Sequence, residues 1–403
     1  MADNAALVNA LKDAGLLTEP RLERAFRAVP RHLFLPQVPP EQVYSDQAIA
    51  IKQGADGTVI SSSSQPSMMA HMLNQLRLTE GCNVLEIGTG SGYNAALMQH
   101  IVGDLGKVTT IELDKELAMH AENHLADAGM RAVNVVHGDG ALGYAPRAAY
   151  DRIIASVGVW DVLKMWVRQL KPDGLLVAPI WWNAFQLSAA FTPSGDGTLT
   201  SRKNTLCNFV VLRGGIGTPS LSVRLGTTPL WLDSSEAARI DTARLHALLS
   251  YDAEREHLSV PLTFSEMWSS FIPYLVLNTP PDFVFAKYQV RDSEQHPYGI
   301  EGMGFALLAR GSACFIPLNG NGVIYYYGSA DSFMATEDAL KGWNAAKRPK
   351  LDQLRLRLIP KERGEPEIRA GKLYPRRDHL CTYGSRMRQH DRRLRTGDRI
   401  DGH

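Results

Sequence analysis

Three glycines at alternate positions, Gly88, Gly90 and Gly92, follow the apolar stretch Val84-Leu85-Glu86-Ile87 and precede a helical pattern from Tyr93 to Ile101. A strand that ends in such a turn lets the backbone fold tightly and lets a ligand approach it within van der Waals contact. The GxGxG spacing is shorter than the GxGxxG of a dinucleotide fingerprint, so a pyrophosphate is not required of the ligand. About 20 residues further on, the apolar stretch Val108 to Ile111 ends in Glu112, an acidic side chain placed to accept from the hydroxyls of a ribose. A third stretch, Asn134 to His137, runs into Gly138-Asp139-Gly140, where Asp139 suits an adenine amino group.

Glycine turn and acidic strand tips in this order read as a site for S-adenosyl-L-methionine, with S-adenosyl-L-homocysteine as product. Its residues are Glu86, Gly88, Thr89, Gly90, Ser91, Gly92, Glu112, Leu113, Asp139 and Gly140. NAD is the competitor; the glycine spacing and the lack of a hydride-transfer site count against it. No Asn-Pro-Pro-Tyr or Asp-Pro-Pro-Tyr follows the fourth strand pattern, where Ala155-Ser156-Val157-Gly158 stands instead, so nucleic-acid amino-methylation is not indicated.

The elements that position these residues alternate. Strand patterns at Val84–Ile87, Val108–Glu112, Asn134–His137, Tyr150–Ser156 and Leu175–Pro179 are separated by helical patterns that include Lys115–Asp127 and Leu163–Leu170. That alternation predicts a doubly wound, Rossmann-like α/β sheet. Phe185–Phe191 and Cys207–Leu212 flank a Pro-Ser-Gly-Asp-Gly turn and predict an antiparallel finish. Two helices are expected within residues 1–40, and Pro66 opens another, with Ser64 as its cap. Beyond Gly214-Gly215-Ile216-Gly217, read as a linker, a mixed α/β pattern includes a helix near Ser234–Leu249. A hairpin-like stretch, Gly304–Tyr327, is turned at Asn319-Gly320-Asn321-Gly322. The division is a methyltransferase domain over 1–213, a substrate-recognition domain over 218–360 and a basic, flexible tail over 361–403.

At 403 residues two domains are the natural expectation. A net charge of +1 gives no sign of nucleic acid or an anionic membrane as partner. Four scattered cysteines, Cys82, Cys207, Cys314 and Cys381, form no CxxC pair, and the histidines lack ligand spacing, so no metal is expected. The amphipathic N-terminus is not a signal core, and the expected location is the cytoplasm.

Three matches carry a resemblance to the protein L-isoaspartyl (D-aspartyl) O-methyltransferases: Arg27 to Pro36 (RAVPRHLFLP), Ile60 to Pro66 with its Ser-Gln-Pro, and Glu86 to Ala95 (EIGTGSGYNA). Gly138-Asp139-Gly140, Tyr150-Asp151 and Leu170 to Gly174 follow in the family's order, and the resemblance spans roughly residues 15–213. It implies a class I methyltransferase fold and methyl transfer to a carboxylate of an aspartyl or isoaspartyl residue, the ester then collapsing to a succinimide. It places the acceptor-orienting hydroxyl at Ser64 or Ser61. Acceptor contacts fall at Ser63, Gln65, Val157, Gly158 and Val159. The four-serine run and Ser156-Val157-Gly158-Val159-Trp160 depart from the family's usual segments. Enlarged relatives modify cyclised ribosomal peptides, which makes that role the first expectation here. General repair of isoaspartyl proteins is the alternative, and a non-catalytic isoaspartate-binding adaptor a further one.

Overall fold

The computed structural model describes residues 3–55, 57–216, 221–292, 294–318, 322–366 and 373–385. Nine strands lie in the first half: β1 (Ile49–Gln53), β2 (Val59–Ser63), β3 (Asn83–Ile87), β4 (Lys107–Glu112), β5 (Asn134–His137), β6 (Tyr150–Ala155), β7 (Leu170–Trp182), β8 (Phe185–Pro193) and β9 (Leu199–Cys207). β5, β4, β3, β6 and β7 are parallel neighbours in that order, and β8 and β9 continue the sheet antiparallel. Helices Pro66–Leu76, Tyr93–Val102 and Lys115–Asp127 provide the winding, as the alternating pattern requires. β1 and β2 form a separate antiparallel hairpin.

Four expectations are corrected. The strand after the Pro-Ser-Gly-Asp-Gly turn is Leu199–Cys207, not Cys207–Leu212; the latter stretch is a strip with one isolated bridge, Val211 to Gly158. Ser64 does not cap the helix at Pro66: the cap position is Gln65, without a side-chain bond, and Asp46 instead accepts from the Ser67 amide (2.8 Å). The helix expected over Ser234–Leu249 is confined to Thr242–Leu249, started by Asp241 accepting from the Arg244 amide. The Gly304–Tyr327 stretch is not one hairpin, because it breaks first at Arg310-Gly311.

The second half builds β10 (Ser222–Arg224), β11 (Leu230–Asp233), β12 (Glu254–His257), β13 (Val284–Val290), β14 (Met303–Ala309), β15 (Ser312–Pro317) and β16 (Val323–Gly328). They form one antiparallel sheet in the order β10-β11-β13-β14-β15-β16-β12. The chain then returns to the first sheet. β17 (Leu354–Pro360) pairs with β9, and β19 (His379–Ser385) and β18 (Leu373–Pro375) extend it to ten strands. A boundary at 361 therefore cuts through a sheet, and part of the presumed tail is ordered strand. Positions 319–321 of the expected turn and the arginines from Arg386 onward lie outside the described residues.

One apolar core runs between the sheets: Trp182 and Phe185 of the first pack with Phe285 and Phe305 of the second, Phe185 and Phe305 having ring centroids 5.5 Å apart. No helix among the described residues is long and apolar enough to cross a membrane.

Candidate active site

Gly88 (φ +93°) and Gly90 (φ +55°) leave β3 in left-handed conformations that L side chains resist. Space is tight for a side chain there as well. A Cβ on Gly88 would stand 3.0 Å from Val157 Cγ1, and one on Gly90 would stand 3.3 Å from the Ser62 carbonyl. The turn is tied from below by Glu86, which is fully buried. Asn94 Nδ2 (2.7 Å) and Ser156 Oγ (3.0 Å) donate to its Oε1, and Thr110 Oγ1 (2.7 Å) donates to its Oε2. Burial, with the Glu112 charge adding to it, raises the Glu86 pKa to about 7 against those three donors.

At the next strand tip Glu112 accepts from the Gly90 amide (3.0 Å) and the Asp114 amide (3.1 Å), which fixes its carboxylate beside the turn. Asp139 accepts from the Ala141 amide (2.9 Å) and from the Gly215 amide (2.8 Å). The segment read as a linker is thus laid across the third strand tip.

The β1–β2 hairpin roofs the turn, and a buried arginine holds it there. Arg31 donates to the carbonyls of Val43 (2.9 Å), Ser45 (3.3 Å), Gln47 (3.1 Å), Ser63 (3.3 Å) and Ser64 (3.0 Å), and to Ser63 Oγ (3.3 Å). Burial lowers its pKa to about 10, which leaves it charged at neutral pH. Lys52 pairs with Asp114 (2.6 Å) and Glu116 (3.0 Å), joining the hairpin to the helix Lys115–Asp127.

Across the turn, Ser156 to Val159 leaves β6 and runs beside the strip 209–212. The Gly158 amide donates to the Val210 carbonyl (2.8 Å), and the Leu212 amide to the Gly158 carbonyl (2.9 Å). Gln186 fixes the strip by accepting from the Phe209 amide (2.7 Å) and donating to its carbonyl (2.9 Å). An open cleft lies between hairpin, glycine turn and strip, with about 870 Å³ of empty space that continues into solvent at its mouth.

Of the residues expected at the cofactor, Glu86, Gly88, Thr89, Gly90, Ser91, Glu112, Leu113 and Gly140 line this cleft; Gly92, packed on the next helix, and Asp139 do not. Ser61, Ser63, Ser64 and Val157 line it too. Gln65 does not line it and instead donates to Asp46 (3.0 Å), Gly158 is pressed against Gln186, and Val159 is buried in the core. Trp182 is core, and Trp160 lies under the Arg376 guanidinium at 3.8 Å. His32 bonds the Tyr44 hydroxyl.

Sequence reasoning passed over Arg31 and Gln186. Arg31 stood inside a recognised motif, but its role depends on carbonyls 12 to 33 positions away, which spacing does not reveal.

The cleft fits S-adenosyl-L-methionine. Glycines leave room for backbone approach, Glu112 presents a carboxylate, and Asn94 Oδ1 is buried at the wall with no partner among the described residues. Sheet order, glycine turn and cleft together define a class I S-adenosylmethionine-dependent methyltransferase.

Residues 2–216 match the family Protein-L-isoaspartate(D-aspartate) O-methyltransferase (PCMT), and the chain belongs to that family. It is 38% identical over 211 residues to the protein-L-isoaspartate O-methyltransferase of Methanococcoides burtonii, covering 52% of this chain and all of that one. It is 38% identical over 212 residues to the one from Methanopyrus kandleri, covering 52% of this chain and 91% of the relative. A solved structure titled protein-L-isoaspartate O-methyltransferase aligns over 95% of this chain and 99% of its own, with 22% identity and a TM-score of 0.51, a likeness of fold. The chain is thus a protein carboxyl O-methyltransferase whose cofactor is S-adenosyl-L-methionine.

Proposed function

We propose that this enzyme esterifies the free carboxylate of an isoaspartyl residue in a protein or peptide, with the acceptor lying between the serine row and Val157. The observation that carries the reading is that Ser61, Ser63, Ser64 and Val157 line the same cleft as the glycine turn. The names of the curated relatives agree with it.

S-adenosyl-L-methionine, when bound, supplies a methyl group activated on sulfonium. Glu112 is our choice for the ribose hydroxyls and Asp139 for the adenine edge, the latter from the rim. A carboxylate is ionised at neutral pH, so the protein need not remove a proton from it. Its task is alignment, which converts an encounter into an ordered approach. A serine hydroxyl orients one carboxylate oxygen and leaves the other nucleophilic, which a bidentate arginine would not. Ser61 and Ser64 share that role in the proposal. Glu86 serves the scaffold, because its oxygens are committed to three donors. Once the ester is formed, the following amide nitrogen attacks its carbonyl carbon and methanol leaves, closing the succinimide.

A dedicated role on a cyclised ribosomal peptide is the second reading, favoured by a second sheet that shares the core. That sheet is not in itself a mark of such enzymes, since the fold likeness to the solved structure spans nearly the whole chain. The division into a methyltransferase part and a peptide-recognition part belongs to the same proposal.

The deciding experiment follows methyl transfer from labelled S-adenosyl-L-methionine to an isoaspartyl peptide, its aspartyl counterpart and a cyclised peptide with an ordinary aspartate. Label on the isoaspartyl peptide alone is the expected result. Label on the cyclised peptide, followed by loss of methanol, would replace it with the second reading. Cofactor binding with no label on any peptide would leave an adaptor.

A further inference from the structure

Beside the cleft, and sharing Leu212 with it, lies a smaller pocket lined by Val159, Trp160, Asp161, Leu163, Leu212, Ile216 and Arg377. Its far side comes from the returning C-terminal arm. Asp161 anchors that arm: His379 Nδ1 lies 2.9 Å from its Oδ1, and the amides of Asp378 (2.7 Å) and His379 (3.1 Å) donate to its Oδ2. Both side chains are almost wholly buried. Arg376 adds a second tie, stacking on Trp160 and donating to the Trp181 carbonyl (2.8 Å).

The anchoring leaves two guanidiniums near Leu212 with unused donors. Arg213 lines the main cleft and Arg377 the adjoining pocket; both are exposed, and among the described residues neither guanidinium has a hydrogen bond or ion pair. The nearby carboxylates keep their charge but point elsewhere: Asp161 holds the arm, Asp139 accepts from two backbone amides, Asp378 lies 3.8 Å from Lys164, and none of them pairs with either guanidinium. A peptide entering the cleft therefore meets two guanidiniums whose donors are unused, one in each of the two pockets that Leu212 lines.

We propose that Arg213 and Arg377 form a subsite for acidic side chains flanking the methylated residue, so that the C-terminal arm selects among peptide substrates. The inference rests on the reading of the cleft as a peptide-carboxylate site. The arm's arginine supplies long-range attraction and a planar donor set for a carboxylate, while Trp160 and Leu212 cover the apolar part of the peptide.

The test uses the full chain with synthetic isoaspartyl hexapeptides that carry Glu or Lys on either side of the isoaspartate. Fluorescence anisotropy measures binding, and labelled cofactor measures transfer. The wild type should favour the Glu-flanked peptide by about tenfold in kcat/KM, chiefly through KM, with the preference weakening at high salt. Arg377→Glu should remove or reverse that preference and leave cofactor affinity unchanged. Equal affinities of the wild type for both peptides would overturn the subsite. So would a loss in Arg377→Glu that is the same for both, since that is the mark of a merely structural arginine. An Arg213→Glu variant that weakens cofactor binding, with no change in peptide preference, would give that side chain to the cofactor and end the two-arginine site. Anisotropy keeps the subsite testable apart from catalysis: charge-selective binding without transfer would sink the esterification reading alone, and transfer without charge selection the subsite alone.

Discussion

Gly88 combines a backbone angle that valine does not tolerate with a neighbour, Val157 Cγ1, 3.0 Å from the position a side chain would start. Gly88→Val should weaken cofactor binding by at least about tenfold (about 1.4 kcal/mol) while the far-ultraviolet spectrum stays native. Calorimetry that returns wild-type affinity from a folded variant would remove the turn from the cofactor site. The serines separate differently. Ser61→Ala and Ser64→Ala should lower kcat with unchanged cofactor Kd, and the larger fall, about tenfold or more, identifies the hydroxyl that orients the acceptor. Glu86 makes a pH statement. Its folded pKa of about 7 stands above the ordinary carboxyl value of 4.5, so the folded state binds the extra proton. The associated stability is complete below about pH 4.5 and is lost as pH rises through 7. Glu86→Gln, which mimics the protonated form, should therefore gain on the wild type between pH 5 and pH 8. The change in their difference is on the order of 3 kcal/mol at most. Parallel denaturation curves with a pH-independent gap would refute it.

The hairpin β1–β2 is held from outside by Arg31 as well as by the ion pairs of Lys52 with Asp114 and Glu116. Arg31 makes all six of its hydrogen bonds to backbone carbonyls and a serine hydroxyl, so the serine row is held at the cleft through this fork. An ammonium has three donors and no planar spread, and Arg31→Lys would leave buried carbonyls unpaired. We expect a stability loss of about 2–4 kcal/mol and a rise in KM for peptide larger than the rise in cofactor Kd. Equal changes in both would mean that the hairpin serves the fold rather than the acceptor. Elements differ in how far they can be read from sequence for the same reason. β3 to β6 and their helices are contiguous and periodic, and the glycine turn sits at a strand end that hydropathy marks. The helix at Pro66 was placed correctly and its cap was not, because Asp46, the residue that accepts from it, lies on a preceding loop. Strands β18 and β19 lie in a polar, arginine-rich stretch that resembles a free tail. They reach the first sheet through β17, whose pairing with β9, more than 150 positions back, leaves no local trace.

At the scale of the molecule, the family match ends at residue 216 but the packing does not. Leu356 and Leu358 of β17 are fully buried beside β9, and the Leu356 amide donates to Ser201 Oγ (2.8 Å). Phe185 is covered by Phe285 and Phe305 of the second sheet. Removing residues 217–403 would uncover β9 as an open edge and expose the aromatic face of β7 and β8. Fully burying one large apolar side chain contributes about 1.5–3 kcal/mol, so uncovering several exceeds the margin of an ordinary domain. Relatives of about the length of residues 1–216 exist as whole proteins, which makes the outcome a test of this chain rather than of the family. We expect a 1–216 fragment to aggregate or to melt without a cooperative transition. Supplying residues 217–403 as a separate chain should restore cofactor binding. A monomeric fragment that melts cooperatively and methylates peptides at the full-length rate would make the second half an accessory. A fragment that folds and binds cofactor but loses its preference for acidic peptides would instead locate selection in the returning arm.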